Sequence, residues 1–205
     1  MHQAHHYFST YKPYGMLSQL TSNDPKEVRN KQFLSELFDF PAGTMPIGRL
    51  DANSEGLLLL TTDGKMADKV NRSGVEKEYF AQLDGEITDE AISTLQNGVE
   101  IGFSGKKYLT KACSVHRLNG PPSLPEADTK IRLERHRPSS WVSVTLTEGK
   151  FRQLRKMTAA VGYPTLRLVR MRIGAMRLEG LIPGKVLPLE NLENAILPPV
   201  RGKVP

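Results

Sequence analysis

Gly48-Arg49-Leu50-Asp51-Ala52-Asn53-Ser54-Glu55-Gly56 runs directly into Leu57-Leu58-Leu59-Leu60-Thr61-Thr62-Asp63-Gly64. The second half is an apolar run closed by an Asp-Gly turn, and it reads as a buried strand. The first half is polar and bounded by glycines, so it reads as the loop that feeds that strand. Asp51 therefore stands at the end of a rigid element, where a reacting carboxylate is usually presented. The plainer reading is that an Asp flanked by Gly and Ser serves as a turn residue or helix cap, and local pattern alone favours it.

Upstream, Tyr7 to Leu17 reads as a strand that stops at Pro13 and turns through Gly15. A polar stretch, Thr21 to Lys31, follows. Phe33, Leu34, Leu37 and Phe38 then mark one face of a short helix. Downstream of the leucines, Lys65 to Asn71 is helical, with Met66 and Val70 four apart, and Lys77 to Leu83 is a strand. Thr88 is a credible N-cap, with Asp89 and Glu90 in the first turn and Gly98 ending the helix. Strands are expected at Val99 to Phe103, Tyr108 to Arg117 and Trp141 to Thr147. Between the last two, Leu118 to Ser140 is rich in proline and charge and reads as a long loop or lid. Lys150 to Val161 reads as a helix with Phe151, Leu154, Met157, Thr158 and Val161 on its apolar face. Thr165 to Ile173 is a strand, Leu181 to Leu187 is hairpin-like, and the tail from Pro198 is loose. Helices and hairpins mix in this way in an α+β protein with a mainly antiparallel sheet.

With 205 residues, 39% of them apolar and no biased run, the chain makes one domain of two lobes. No segment approaches the roughly 18 apolar residues that span a bilayer, and Met1 to Tyr11 lacks a secretory core. The protein is expected in the cytoplasm, as a monomer, away from membranes. Cys113, the single cysteine, reads as a small buried side chain in a strand. His2, His5 and His6 read as a solvated end, with no acid or cysteine beside them to complete a metal site. No glycine-rich phosphate loop follows a strand, which argues against a nucleotide-dependent enzyme.

The formal charge is +6, and its distribution carries more than its sum. Gly149 to Leu178 holds eight basic residues (Lys150, Arg152, Arg155, Lys156, Arg167, Arg170, Arg172 and Arg177) and no acidic one, whereas the charges just after Glu78 and up to Gly105 are all acidic. A basic face laid on a phosphate backbone accounts for that contrast, with Lys150, Arg152, Lys156, Arg167, Arg170 and Arg172 as its phosphate contacts. Arg155 follows the core-facing Leu154 and is the candidate to reach inward and pair with a buried carboxylate. Tyr79, on its strand, is either core packing or a ring that stacks on a flipped base. No second acid or histidine is spaced with Asp51 as a dyad or metal site, and Glu55 is the only acid nearby. A one-carboxylate chemistry follows.

Three separated motifs, GRLDANSEGLLLLTTDG at 48–64, KEYFAQLDG at 77–85 and LTEGKFRQLRKMTAAVGYPTLRLVRMRIG at 146–174, together resemble the pseudouridine synthases of the RsuA type. FSTYKPYGMLSQ at 8–19 and LIPGKVLPL at 181–189 are similar to that family as well. The resemblance covers about Tyr7 to Leu189 and implies the pseudouridine synthase fold, a bipartite, mainly antiparallel sheet with flanking helices and a central cleft. It implies Asp51 as the essential aspartate, Tyr79 as the base-stacking tyrosine, Arg155 as the cation that pairs with the aspartate, and Arg49 as a residue that swings out the target nucleotide or holds its phosphate.

Most members carry a small N-terminal RNA-binding domain of the S4 kind. The catalytic pattern here begins near residue 7, so residues 1–205 are expected to be the catalytic domain alone. The implied reaction is site-specific conversion of uridine to pseudouridine in ribosomal RNA, of the large subunit in the short branch this chain is similar to, with no cofactor and no metal. The partner is that RNA or a ribosome assembly intermediate. Whether the aspartate attacks C1′ or removes a 2′ proton stays open. Two other classes compete with the enzyme. A non-catalytic RNA-binding assembly factor has no use for an acid in the middle of the motif, and a metal-dependent nuclease needs clustered acids that the sequence lacks.

Overall fold

The computed structural model describes residues 4–131, 133 and 137–196. Along the chain these form β1 (Tyr7–Lys12), α1 (Pro25–Asn30), β2 (Met45–Ile47), β3 (Glu55–Thr61), α2 (Gly64–Arg72), β4 (Lys77–Asp84), α3 (Asp89–Asn97), β5 (Glu100–Phe103), β6 (Lys106–Leu109), β7 (Ser114–Arg117), β8 (Ser139–Leu146), α4 (Gln153–Ala160), β9 (Thr165–Ile173), β10 (Met176–Arg177), β11 (Val186–Leu189) and α5 (Glu193–Ile196). One large sheet runs in the order β11-β1-β3-β9-β4-β8-β7, with β2 added to β3 and β10 to β9. The chain folds as an α+β protein with a mainly antiparallel sheet. Among the described residues, no helix is long and apolar enough to cross a membrane.

β3 is the strand of four leucines, and it is buried along its whole length. Alternation sends its side chains to two faces. Leu57 and Leu59 pack with Met66 and Val70 of α2 and with Val169 of β9. Leu58 and Leu60 pack with Phe8 and Leu34 on the other side. A third apolar cluster lies in the other half of the sheet, where α3 and α4 cover β4 and β8 through Leu95, Leu154 and Met157.

The two halves meet at β3 and β9. These strands pair in parallel over only Glu55↔Val169 and Gly56↔Arg170. Beyond that point the same edge of β3 is taken by β2, antiparallel, through Ile47↔Leu59. The loop from Gly48 to Ser54 thus emerges at the seam between the halves. Backbones approach closely there. A Cβ on Gly56, whose φ is +106°, would lie 2.4 Å from the Arg170 carbonyl oxygen.

Several expected elements change shape. The polar stretch at Thr21 to Lys31 contains α1, whose N-cap Asp24 accepts from the Lys26 N–H. The expected helix at Phe33 to Phe38 is a single 3-10 turn, Leu34–Glu36, closed when the Glu36 carboxylate accepts from the Phe33 N–H at 2.7 Å. The expected strand from Tyr108 to Arg117 is two strands. The buried Thr110 hydroxyl accepts from the Val99 N–H, and the Cys113 N–H donates to Gln96, so the chain leaves β5 and crosses to β8. α4 begins at Gln153 rather than near Lys150, because Arg152 is left-handed at φ +51°.

In Leu118 to Ser140 no regular element precedes β8 among the described residues, and Leu124 packs against the core. Residues 132 and 134–136 of that stretch, His2, and the tail from Pro198 lie outside the described residues.

Candidate active site

The loop between β2 and β3 holds Asp51 in place through its neighbours. The buried Ser18 hydroxyl accepts from the Leu50 N–H at 2.9 Å and donates to the Leu50 carbonyl at 2.7 Å. On the other side, the Ala52 carbonyl accepts from the Gly15 N–H at 2.8 Å and from Lys12 Nζ at 3.4 Å. Lys12 is fully buried and also donates to the carbonyls of Pro13 and Met16, at 2.9 and 2.7 Å. Burial pushes its pKa down to about 7. The turn after β1 therefore grips the backbone on both sides of Asp51.

Asp51 itself is 22% exposed and faces a pocket of about 100 Å³. Tyr79 from β4, Leu146 from β8, Leu168 from β9 and Leu154 from α4 line its floor. Arg49, Lys150, Arg152 and Arg155 line its rim. Arg49 is exposed and donates to the Gln19 side chain at 3.2 Å. The three residues assigned to catalysis on sequence grounds, Asp51, Tyr79 and Arg155, come together here from elements as much as 104 positions apart, the distance from Asp51 to Arg155.

The ion pairing differs from expectation. Among the described residues, the cation within 4 Å of the Asp51 carboxylate is Arg152, at 3.9 Å. Its left-handed backbone costs about 1 kcal/mol in a residue with a Cβ, and strain of this kind is found where a side chain must be aimed. Arg155 grips the loop backbone instead. It donates to the Asn53 carbonyl, to Ser54 Oγ at 3.4 Å and to the Thr165 carbonyl at 3.2 Å, so it ties β3's entry to β9's start. Its Nε is buried without a partner among the described residues. Burial lowers the Arg155 pKa first and the charge of Arg152 lowers it further, against a smaller opposing pull from Asp51.

Three expected RNA contacts are corrected. Arg167 is 5% exposed and forks onto Glu55 at 2.9 and 3.0 Å. Burial opposes its charge, and the bonds and charge of Glu55 more than offset that, so its pKa is raised. Arg170 is 2% exposed and donates to the Leu57 carbonyl at 2.7 Å. Arg172 is held by Glu78 at 3.1 Å and Glu76 at 2.9 Å. Arg167 and Arg170 are buried within the fold, whereas Arg172 is partly exposed and is neutralised by its two glutamates. Lys150 and Lys156 stay half-buried at the surface.

Glu148 is a second acid on the pocket, and nothing in its local sequence singles it out. Burial alone would raise its pKa. Bonds from the Tyr108 hydroxyl, the Lys111 N–H and the Gln153 side chain more than offset that and hold it below the usual range. Its oxygens are occupied, whereas among the described residues Asp51 has only the distant Arg152. Lys12 and Ser18 also went unassigned, since a lysine and a serine beside a Pro-Tyr-Gly turn read as solvent-facing.

A larger cavity of about 840 Å³ lies on the opposite side of the second half-sheet, lined by Gln82, Trp141 and Arg167 beneath the proline-rich loop, and Asp51, Tyr79 and Arg155 are not part of it.

A family model described as RNA pseudouridylate synthase matches residues 6–160, which contain the Asp51 loop, Tyr79 and Arg155. The chain is 40% identical over 176 residues to the ribosomal large subunit pseudouridine synthase E of Xanthomonas campestris pv. campestris, covering 85% of this chain and 90% of that protein. It is 37% identical over 182 residues to the protein of the same name from Vibrio vulnificus, covering 85% and 70%. A crystal structure of a pseudouridylate synthase superposes with a TM-score of 0.70 at 27% identity, over 91% of this chain and 71% of that one. The overall fold is thus shared with a solved pseudouridylate synthase, and the chain belongs to the RNA pseudouridylate synthase family.

Proposed function

We propose that this chain converts uridine to pseudouridine in large-subunit ribosomal RNA, with Asp51 as the reacting carboxylate. The observation that carries the reading is one acid whose oxygens accept no hydrogen bond among the described residues, fixed by backbone bonds on both sides and lining a pocket together with Tyr79 and four cations. Uridine isomerisation breaks the N1–C1′ bond and forms C5–C1′. The proton on C5 leaves and one is taken up at N1, so no group or electron is supplied from outside. The Asp51 carboxylate serves either as nucleophile at C1′ or as base at the 2′ position.

Arg152 turns its positive charge toward Asp51, and Arg155 keeps the Asp51 loop in register with α4. Tyr79 offers a ring against which a flipped-out uracil stacks. Arg49, Lys150 and Arg152 meet the phosphates at the rim. The relatives named for the large ribosomal subunit, which match 85% of this chain, support that subunit's RNA as the substrate, free or in an assembly intermediate. The reading carries with it a monomeric enzyme in the cytoplasm.

The test is to incubate the protein with unmodified large- and small-subunit RNA and map pseudouridine. One new site in the large-subunit RNA is expected. Binding without conversion of either RNA would point to a non-catalytic assembly factor, and conversion confined to small-subunit RNA would overturn the substrate.

A further inference from the structure

β5 and β6 form a two-stranded sheet of their own, outside the main one, and it leans on α4. Their pairing puts Phe103 opposite Lys106 and Ile101 opposite Tyr108, so these four share a face. Ile101 is buried in the core under α4, which makes this the face turned toward the helix. The rings of Phe103 and Tyr108 meet edge to face at 6.0 Å. Lys150, on the turn entering α4, places its ammonium 5.4 Å and 5.1 Å from their centroids.

The neighbouring turn repeats the arrangement. Lys156 donates to the Gly102 carbonyl at 2.7 Å and stands 5.4 Å from the ring centre of Phe151. Phe151 itself is 67% exposed. Sequence periodicity placed it on the apolar face of the helix, but the left-handed Arg152 swings it out of the core. Lys106, Lys150 and Lys156 have no carboxylate within 4 Å among the described residues, and the acid on which Lys150 acts at longer range, Glu148, is already bonded to Tyr108, Lys111 and Gln153. Lys107, on the opposite face of the hairpin, is neutralised by Glu100 at 2.8 Å. The patch is continuous with the pocket, since Lys150 lines both.

Lys150 and Lys156 over aromatic faces, beside an exposed ring and with no carboxylate in ion-pair contact among the described residues, match the chemistry of single-stranded RNA. Phosphates take the ammonium groups, and an unstacked base takes the ring. A duplex has no free base for Phe151. We propose that the β5–β6 hairpin and the entry to α4 form a second RNA-contact surface, where an unpaired nucleotide flanking the target stacks on Phe151 while Lys106, Lys150 and Lys156 meet its phosphates. This rests on RNA being the substrate of the pocket and adds to it a requirement for an unpaired flank.

The test uses two fragments of large-subunit ribosomal RNA that contain the mapped site, one with the flanking nucleotides unpaired and one with them locked in a duplex. Phe151→Ala is expected to raise KM on the unpaired fragment about ten-fold, the loss falling on KM rather than kcat, and to leave KM on the duplex-flanked fragment as in the wild type. Lys106→Ala is expected to flatten the salt dependence of binding by about one unit of slope. Lys107→Ala is the control and binds as wild type. A wild-type KM for Phe151→Ala on the unpaired fragment overturns the proposal, as it would if the patch served an acidic protein partner. An equal loss on both fragments overturns it too, as does a fall in melting temperature that accounts for the change. Absence of conversion by the wild-type protein instead indicts the pocket reading. In that case, binding of the two fragments by Asp51→Ala still separates a flank-dependent surface from none.

Discussion

The basic segment from Gly149 to Leu178 divides into two regions that look alike in sequence and do opposite work. Around the start of α4, Lys150, Arg152 and Lys156 keep their charges at the surface or aim them at Asp51. Along β9, Arg167 and Arg170 spend theirs inside the protein, on Glu55 and the Leu57 carbonyl, and Arg172 spends its own on Glu78 and the exposed Glu76. The β9 arginines join strands: Arg167 and Arg170 cross the seam to β3, and Arg172 crosses to β4 and the residue before it. The seam has only two residue pairs of backbone register, so side-chain ties do much of the joining there. A run of positive charge is thus a statement about composition, and the neighbours of each strand or turn decide whether it faces RNA or a buried carboxylate.

Breaking the inner set has the largest expected effect on stability. Arg167→Ala strands Glu55 in a buried site and should lower the unfolding free energy by about 3–5 kcal/mol, read from urea midpoints. The outer set should behave in the opposite sense. Arg152→Ala is expected to cut the conversion rate about 100-fold while changing stability by no more than about 0.5 kcal/mol. Equal losses of stability for both variants would erase the distinction between the regions. Ser18→Ala removes the hydroxyl that bridges both backbone groups of Leu50 and should cost about 1–2 kcal/mol, with a fall in kcat larger than any change in RNA affinity. The smallest effect is that of Lys150→Ala. It should leave stability alone and reduce the slope of log binding constant against log salt by about one unit, whereas Arg172→Ala should leave that slope unchanged.

Much of the frame was legible because it rests on local chemistry. Thr88 accepts from the Ala91 N–H and Gly98 ends α3 at φ +101°, as their residue types suggest. β9 runs from Thr165 to Ile173 as its alternation implies, and the leucines of β3 are buried where they should be. The family motifs put Asp51, Tyr79 and Arg155 in one site before any geometry was known, and the pocket gathers all three.

What stayed hidden depends on partners distant in sequence. Nothing near Arg167 reveals Glu55, 112 positions away. Nothing near Lys12 reveals that its ammonium will be enclosed by three carbonyls, one of them Ala52's. The left-handed turn at Arg152 was equally hidden, since only glycine announces that conformation. That turn sends Phe151 outward and Arg152 toward Asp51, so one backbone angle reassigns two residues.

The most direct test of the account is a single-turnover assay of Asp51→Asn on large-subunit ribosomal RNA carrying uridine tritiated at C5. Tritium leaves only when C5 is rejoined to the sugar. The account predicts RNA binding like that of the wild type and no tritium release above background. Release at the wild-type rate would contradict it.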